Sequence, residues 1–210
     1  MPRMTSAAHT DDADWDAYYR RTAGREPRPL LLDAMAHVPA KDLRPASAID
    51  LGCGDGTESL HLLRAGFHVT AVDRESAAVE LVATRARRDG LDSGLTAAVE
   101  DLEAVEPPRA DLLLSCMSLP FLGPTALATL WERILAALHP GGVLAVNLLG
   151  DRDSWAHGDT AVAGMTFHRR NEVEAMMSGL GILQLEEHEF DGPSGRGPKH
   201  WHRYDVIARR

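Results

Sequence analysis

The stretch Ala48-Ile49-Asp50-Leu51-Gly52-Cys53-Gly54-Asp55-Gly56-Thr57 decides the fold. A short apolar run enters it, and a helical pattern leaves it over 57–65. Glycines at 52, 54 and 56 let the main chain turn sharply and let a ligand lie against bare backbone. Amide groups at the start of the following helix favour an anionic group. The next apolar run, 68–72, ends on Asp73, 23 positions after Asp50. A carboxylate there can accept hydrogen bonds from both hydroxyls of a ribose. The unit reads as a nucleoside-binding strand, loop and helix.

The same texture continues outward. Apolar runs at 48–51, 68–72, 95–99, 111–116 and 143–149 alternate with helical stretches at 57–65, 76–89 and 125–138. Such alternation predicts a parallel sheet covered by helices on both faces. His139-Pro140-Gly141-Gly142 reads as a helix stop and turn. A helix is expected over 171–178 and two closing strands at 182–190 and 200–208. A loop at 191–199, holding three glycines and two prolines, is expected between them. Before the core, residues 1–10 read as a tail and 11–35 as helical. Trp15, Tyr18 and Tyr19 fall on one helix face, and Pro27 and Pro29 precede a short helix at 30–37. The expected organisation is a set of N-terminal cover helices over 1–45 and a main domain over 46–210. Within it, 46–150 forms the cofactor half and 151–210 the acceptor half.

A dinucleotide fingerprint is G-x-G-x-x-G, but here the third glycine comes one residue early, at Gly56. The pattern Asp-x-Gly-x-Gly-x-Gly, from Asp50 to Gly56, resembles the first motif of class I methyltransferases that use S-adenosyl-L-methionine. Further pieces carry the resemblance over about 46–150. They are Asp73-Arg74 after the second strand, Glu100-Asp101-Leu102 after the third, Ala110-Asp111-Leu112-Leu113-Leu114 in the fourth, and the Leu138-His139-Pro140-Gly141-Gly142 turn before the fifth. The resemblance implies an α/β fold, a Rossmann-like seven-stranded methyltransferase sheet with an antiparallel closing strand and helices on both faces. It implies that Gly52, Cys53, Gly54 and Gly56 pass the methionine part while Asp50 helps position its amine. Asp73 takes the ribose, Arg74 and Leu102 flank the adenine, and Asp101 meets its amino group. Ser115, after the fourth strand, and Tyr19, on the cover helix, complete the expected cofactor set.

Methyl transfer is an in-line displacement whose demands are chiefly orientation and exclusion of water; an alcohol or protonated amine also needs a general base. The loop Ser115-Cys116-Met117-Ser118-Leu119-Pro120-Phe121 lacks the Asn/Asp-Pro-Pro-Tyr/Phe sequence of amino methyltransferases acting on adenine or glutamine. Ser115 stands where the cytosine-C5 enzymes have a proline before their nucleophile, so Cys116 reads as a core thiol. Acceptor-side candidates come from the C-terminal third. Trp155 and His157 follow the fifth strand, and His200 and His202 share one face of the last strand. His200, His202 and His157 are the candidate catalytic residues. Ten histidines are present, but no H-E-x-x-H and no Cys/His cluster, so no metal is expected. Ser118-Leu119-Pro120-Phe121, Asp153-Ser154-Trp155, Met165-Thr166-Phe167-His168 and Lys199-His200-Trp201-His202 resemble a branch of small bacterial methyltransferases of the tellurite-resistance type.

Composition narrows the class. The chain has 210 residues, 44% hydrophobic and 25% charged, which is ordinary globular composition. With 22 basic and 31 acidic residues the net charge is −9, and the segment 46–150 alone carries 7 basic and 14 acidic residues. Nucleic acid and anionic membrane are thereby disfavoured as partners. Only two lysines occur, Lys41 and Lys199, and no G-x-x-x-x-G-K-[ST] loop exists. Two cysteines, no 18-residue apolar run and no leader-like start point to a reduced cytoplasmic protein. The expected activity is methyl transfer from S-adenosyl-L-methionine to a small-molecule acceptor, with O, N and S or another chalcogen all open as the acceptor atom. A non-catalytic S-adenosylmethionine-binding or partner-activating protein is the alternative, and an NAD-dependent oxidoreductase the rival enzyme.

Overall fold

The alternating pattern becomes one mixed sheet of eight strands in a computed structural model that describes residues 24–40 and 44–210. In chain order the elements are α1 (Pro29–Met35), β1 (Ser47–Leu51), α2 (Thr57–Arg64), β2 (His68–Asp73), α3 (Ser76–Arg88), β3 (Leu95–Val99) and β4 (Ala110–Ser115). They are followed by α4 (Pro124–Ala137), β5 (Leu138–Gly150), β6 (Phe167–His168), α5 (Arg170–Met176), β7 (Gly181–Ser194) and β8 (Gly197–Arg209). The strand order is β3-β2-β1-β4-β5-β8-β7, with β6 paired to the end of β5. β1 to β5 run parallel; β8 is antiparallel to both β5 and β7. This is the Rossmann-like arrangement with an antiparallel closing strand that the sequence predicts, with the two-residue β6 as an addition.

Strand alternation divides the core. Leu112 and Leu114 point into one apolar layer and Leu113 into the other. The first layer is completed by α1, α2 and α3, through Leu30, Leu31, Leu62 and Val82; the second is completed by α4 and α5. α4 starts with Pro124 at its first position after Gly123, where a missing N–H costs nothing. Its Leu127, Leu130, Trp131 and Ile134 recur at helical spacing and are buried. Within the expected cover segment, α1 is a core helix against β4, β5 and β8. Tyr19, Trp15 and Tyr18 lie outside the described residues.

Two expectations need correction. The expected loop at 191–199 is strand: the β7–β8 ladder runs on through Asp191↔His200 and Pro193↔Pro198 to Ser194↔Gly197. Only Gly195 and Arg196 form the turn. Ser194 Oγ closes it by accepting the Arg196 N–H at 3.1 Å and donating to Gly197 O at 2.7 Å. The prolines are tolerated because they sit opposite each other at the hairpin's far end. The helix stops where expected, at Ala137, but the expected turn at 139–142 is an irregularity inside β5, whose pairing with β4 shifts register between Ala110 and Leu112.

Candidate active site

Because β1 to β4 are parallel, the segments after them emerge along one edge. The chain reverses its order between β1 and β4, which makes that edge a topological switch point. Gly52–Thr57, Asp73, Asp101 and Ser115 all end there.

The glycine loop needs its glycines for two reasons. Gly52, Gly54 and Gly56 have φ of 76°, 51° and 75°, a region that L side chains rarely adopt. A Cβ on Gly52 would lie 2.1 Å from Ser118 Oγ, and one on Gly56 would lie 2.4 Å from Val82 Cγ2. Five of the loop's amides are already employed. Gly52 and Cys53 donate to Val72 O, and Gly56 donates to Cys53 O. Gly54 N–H donates to Asp73 Oδ2 at 2.9 Å, and Thr57 N–H to Asp55 Oδ1 at 3.2 Å. These five amides hold the loop itself.

The loop offers carboxylates instead. Asp50 is 2% exposed and accepts a hydrogen bond from Ser59 Oγ at 2.7 Å. Burial, and then the Glu58 carboxylate, push its carboxyl up to about 7, with the Ser59 bond pulling the other way. Asp73 accepts the Gly54 N–H on Oδ2 and the Glu75 N–H on Oδ1. Burial raises it nonetheless. Its lone pairs outnumber those two donors, so it can still receive a hydroxyl. Glu58 is clamped by Arg25 at 2.7 and 2.5 Å and by the Arg28 N–H at 3.2 Å. That fork ties the segment before α1 to the start of α2. Arg85, in the last turn of α3, donates its Nη1 to Asp55 O at 2.9 Å and so supports the loop.

The other expected cofactor residues fall unevenly. Arg74 is half-buried beside Glu75 at 3.2 Å. Asp101 accepts the Glu103 N–H at 2.9 Å, and Leu102 packs on the second core layer. Ser115 is buried, its hydroxyl donating to Leu51 O at 3.0 Å; it joins β4 to β1 rather than facing the cleft. Cys53 and Cys116 are free thiols, and burial pushes both well up, which fits core thiols.

The residues expected on the acceptor side lie where β8 starts beside the end of β5. Leu149, Trp155 and Met165 form a separate apolar cluster, joined by Met117, Phe121, Val162, Phe167 and Trp201. Met117 holds a left-handed φ of 60°, and its neighbour Ser118 donates to Gly52 O at 3.2 Å. The cluster thus adjoins the glycine loop. Strand alternation sends Lys199 and Trp201 toward it and His200 and His202 away.

His202 is fully buried. Its Nδ1 accepts the Arg152 N–H at 3.0 Å, which leaves the proton on Nε2, donated to Glu187 Oε1 at 2.9 Å. A ring fixed in this way has no free nitrogen for a reacting proton, so the expected base role does not follow from its geometry. His200 lies outside, between Asp191 Oδ1 at 2.8 Å and Glu189 Oε1 at 3.1 Å. His157 is exposed, its Nε2 on Asp151 O at 2.5 Å. His202→Ala is expected to destabilise the protein by about 2–4 kcal/mol, since it opens a cavity and strands the Arg152 N–H and Glu187. His200→Ala is expected to stay within about 0.5 kcal/mol. Urea unfolding of both variants checks this, and equal effects would refute it.

Among the described residues no group of three or more His, Cys, Asp or Glu is placed to hold a metal ion, and no helix is long and apolar enough to cross a membrane. Asp153 and Lys199 stand in the sequence only as members of the quoted phrases 153–155 and 199–202; the structure brings them together at 2.6 Å beside Trp155 and Trp201.

The sheet order and the glycine loop define a class I methyltransferase fold. The chain belongs to the family described as tellurite resistance protein TehB, whose model matches residues 33–188. The crystal structure of TehB from Haemophilus influenzae superposes with a TM-score of 0.73 at 17% identity, covering 93% of this chain and 67% of that one. Trans-aconitate 2-methyltransferase of Delftia acidovorans is 34% identical over 151 residues, 69% of this chain and 52% of the relative. Carboxy-S-adenosyl-L-methionine synthase of Vibrio parahaemolyticus is 30% identical over 122 residues, 56% of this chain and 50% of the relative. The chain spans about half the length of these curated relatives.

Proposed function

We propose that this protein is an S-adenosyl-L-methionine-dependent methyltransferase acting on a small molecule. The observation that carries the reading is the buried carboxylate pair Asp50 and Asp73 flanking a glycine loop most of whose amides hold the loop itself. A diphosphate would meet acidic groups and few available donors there. A ligand with an ammonium at one end and a ribose at the other would meet acceptors for both.

When bound, the cofactor supplies an electrophilic methyl carbon on a sulfonium. Asp50 holds the amino group, Asp73 accepts from the ribose hydroxyls, and Asp101 and Leu102 contact the adenine, with Arg74 at its flank. Met117, Phe121, Trp155 and Trp201 exclude water and orient the acceptor, which is where methyl transfer gains most of its rate. Among the described residues no side chain on this wall is a free base, which favours a soft nucleophile such as a thiol that ionises near ambient pH. Residues 46–150 form the cofactor half and 151–210 the acceptor half. The two free thiols suit the cytoplasm.

Titration calorimetry tests the reading: S-adenosylmethionine and S-adenosylhomocysteine are expected to bind and NAD not to; comparable NAD affinity would sink it. Asp73→Ala removes an acceptor for two hydroxyls, at about 1.5–3 kcal/mol for each charge-assisted bond. Its cofactor affinity is expected to fall at least about tenfold while the chain stays folded; an unchanged dissociation constant would move the ribose elsewhere. Release of S-adenosylhomocysteine in the presence of small thiols, phenols and amines then separates an enzyme from a cofactor-binding protein.

A further inference from the structure

The acceptor-side cluster contains a buried cation that its apolar neighbours do not require. Lys199 Nζ lies 3.5 Å from the centroid of the Trp155 ring and 3.8 Å from that of Trp201. It is 2.6 Å from Asp153 Oδ1, with its side chain 2% exposed and that of Asp153 fully buried. Burying an ammonium is costly unless it is paired, and a methionine or leucine would fill the same space at no such cost. Two indole faces and a carboxylate are the surroundings that make the burial tolerable, since Trp gives the strongest cation–π attraction.

Asp153 is itself immobilised. Its Oδ1 accepts the Trp155 N–H at 3.0 Å, and its Oδ2 accepts the His202 N–H at 3.2 Å. It therefore joins the loop after β5 to the start of β8. The indoles of Trp155 and Trp201 stand 5.8 Å apart at 51°. Phe121 continues the row beyond Trp155 at 6.5 Å, and Phe190 stacks on Trp201 at 6.2 Å and 17°. The row runs from the loop that touches Gly52 out to the exposed tip of β7.

We propose that Lys199 is a positioning residue for the acceptor: its ammonium, held by Asp153, sets the spacing and tilt of Trp155 and Trp201, and its charge rather than its bulk does so. The proposal rests on the reading of this cluster as the acceptor wall. Either ring released from the cation would relax against its apolar neighbours, so the wall would keep its composition and lose its shape.

Lys199→Met, Lys199→Arg and Lys199→Ala in the full chain test it. Two indoles this close couple optically, and circular dichroism in the far ultraviolet reads the coupling. Lys199→Met and Lys199→Ala are expected to lose the signal and Lys199→Arg to keep it. In Lys199→Ala, n-propylammonium is expected to restore it and neutral 1-propanol not to. S-adenosylhomocysteine affinity is expected to stay within about threefold in all three. For an acceptor methylated by the parent chain, Lys199→Met is expected to raise KM about tenfold or more with kcat within about threefold. A signal kept in Lys199→Met, or restored equally by 1-propanol, overturns the proposal, because bulk would then suffice. Loss of the signal with KM unchanged overturns the acceptor role while methyl transfer itself stands. Failure of the broader reading shows differently, as no S-adenosylhomocysteine released by the parent chain.

Discussion

Gly52→Ala is expected to lose about 2–5 kcal/mol of stability and to bind S-adenosylhomocysteine at least about tenfold more weakly. Two costs add at this position. The residue holds a φ of 76°, where a side chain costs about 1–2 kcal/mol. The new Cβ would also lie 2.1 Å from Ser118 Oγ and 2.4 Å from Ser118 Cβ, and overpacking of this kind costs about 1–3 kcal/mol. The loops after β1 and β4 would have to part, and both border the proposed cofactor site. Gly141→Ala is the control. Its φ is 78°, and a Cβ there meets nothing within 4 Å, so it pays the backbone cost alone. Ser118→Gly in the Gly52→Ala background removes the obstructing side chain and is expected to return most of the difference. Urea unfolding and calorimetry of the three variants read the outcome; equal losses in Gly52→Ala and Gly141→Ala would show that the close approach carries no weight.

The sheet was legible because each parallel strand is an apolar run between helical stretches, and no other packing buries such runs on both sides. The glycine loop was legible for a related reason: three left-handed positions in five residues demand glycine. What its amides bind was not legible, since Val72 and Asp73 reach them only across the β1–β2 register. The length of the β7–β8 hairpin was missed because prolines and glycines at 191–199 carry a loop composition. Their tolerance depends on Pro193 facing Pro198, a register fact.

The last strand shows the limit most clearly. Alternation puts His200 and His202 on one face and Lys199 and Trp201 on the other, and it says nothing of which face meets the cleft. Pairing with β5, Arg203 against Leu149, decides that. It brings His202 onto Gly150, where a Cβ would lie 2.0 Å from Nδ1, and leaves the aromatic wall to Trp201 and Lys199. A histidine attracts attention in a sequence because it titrates near neutrality. In this fold the His202 ring is a buried strut, and Lys199, to which the sequence assigns no role of its own, occupies the cluster.

Asp50→Asn is expected to stabilise the protein and to weaken its ligand binding, with both effects growing as pH rises. The Asp50 carboxyl is raised from 3.8 to about 7 by burial and by Glu58, so the folded state holds a proton that the unfolded state has released. The stability due to that proton is full below about pH 4 and is lost as pH rises through about 7. Between about pH 5 and pH 8 the loss from this one group is about 2.5 kcal/mol. His168, lowered from 6.5 by burial, acts in the opposite sense over the lower part of that window, gaining stability as pH rises. The difference between parent and Asp50→Asn cancels His168 and isolates Asp50. Asparagine carries no charge at any pH, so the variant is expected to gain on the parent by about that amount between pH 5 and pH 8. Ligand binding runs the other way. An amino acid ammonium beside Asp50 favours the carboxylate, so S-adenosylhomocysteine binding is expected to release a proton below about pH 7 and to tighten as pH rises to that point. Asp50→Asn is expected to lose the proton release, seen by calorimetry in buffers of different ionisation enthalpy, together with about tenfold in affinity at pH 8. Proton release that survives in Asp50→Asn would transfer the ammonium contact to another carboxylate; an unchanged stability difference across the pH range would show that Asp50 is ionised in the fold throughout.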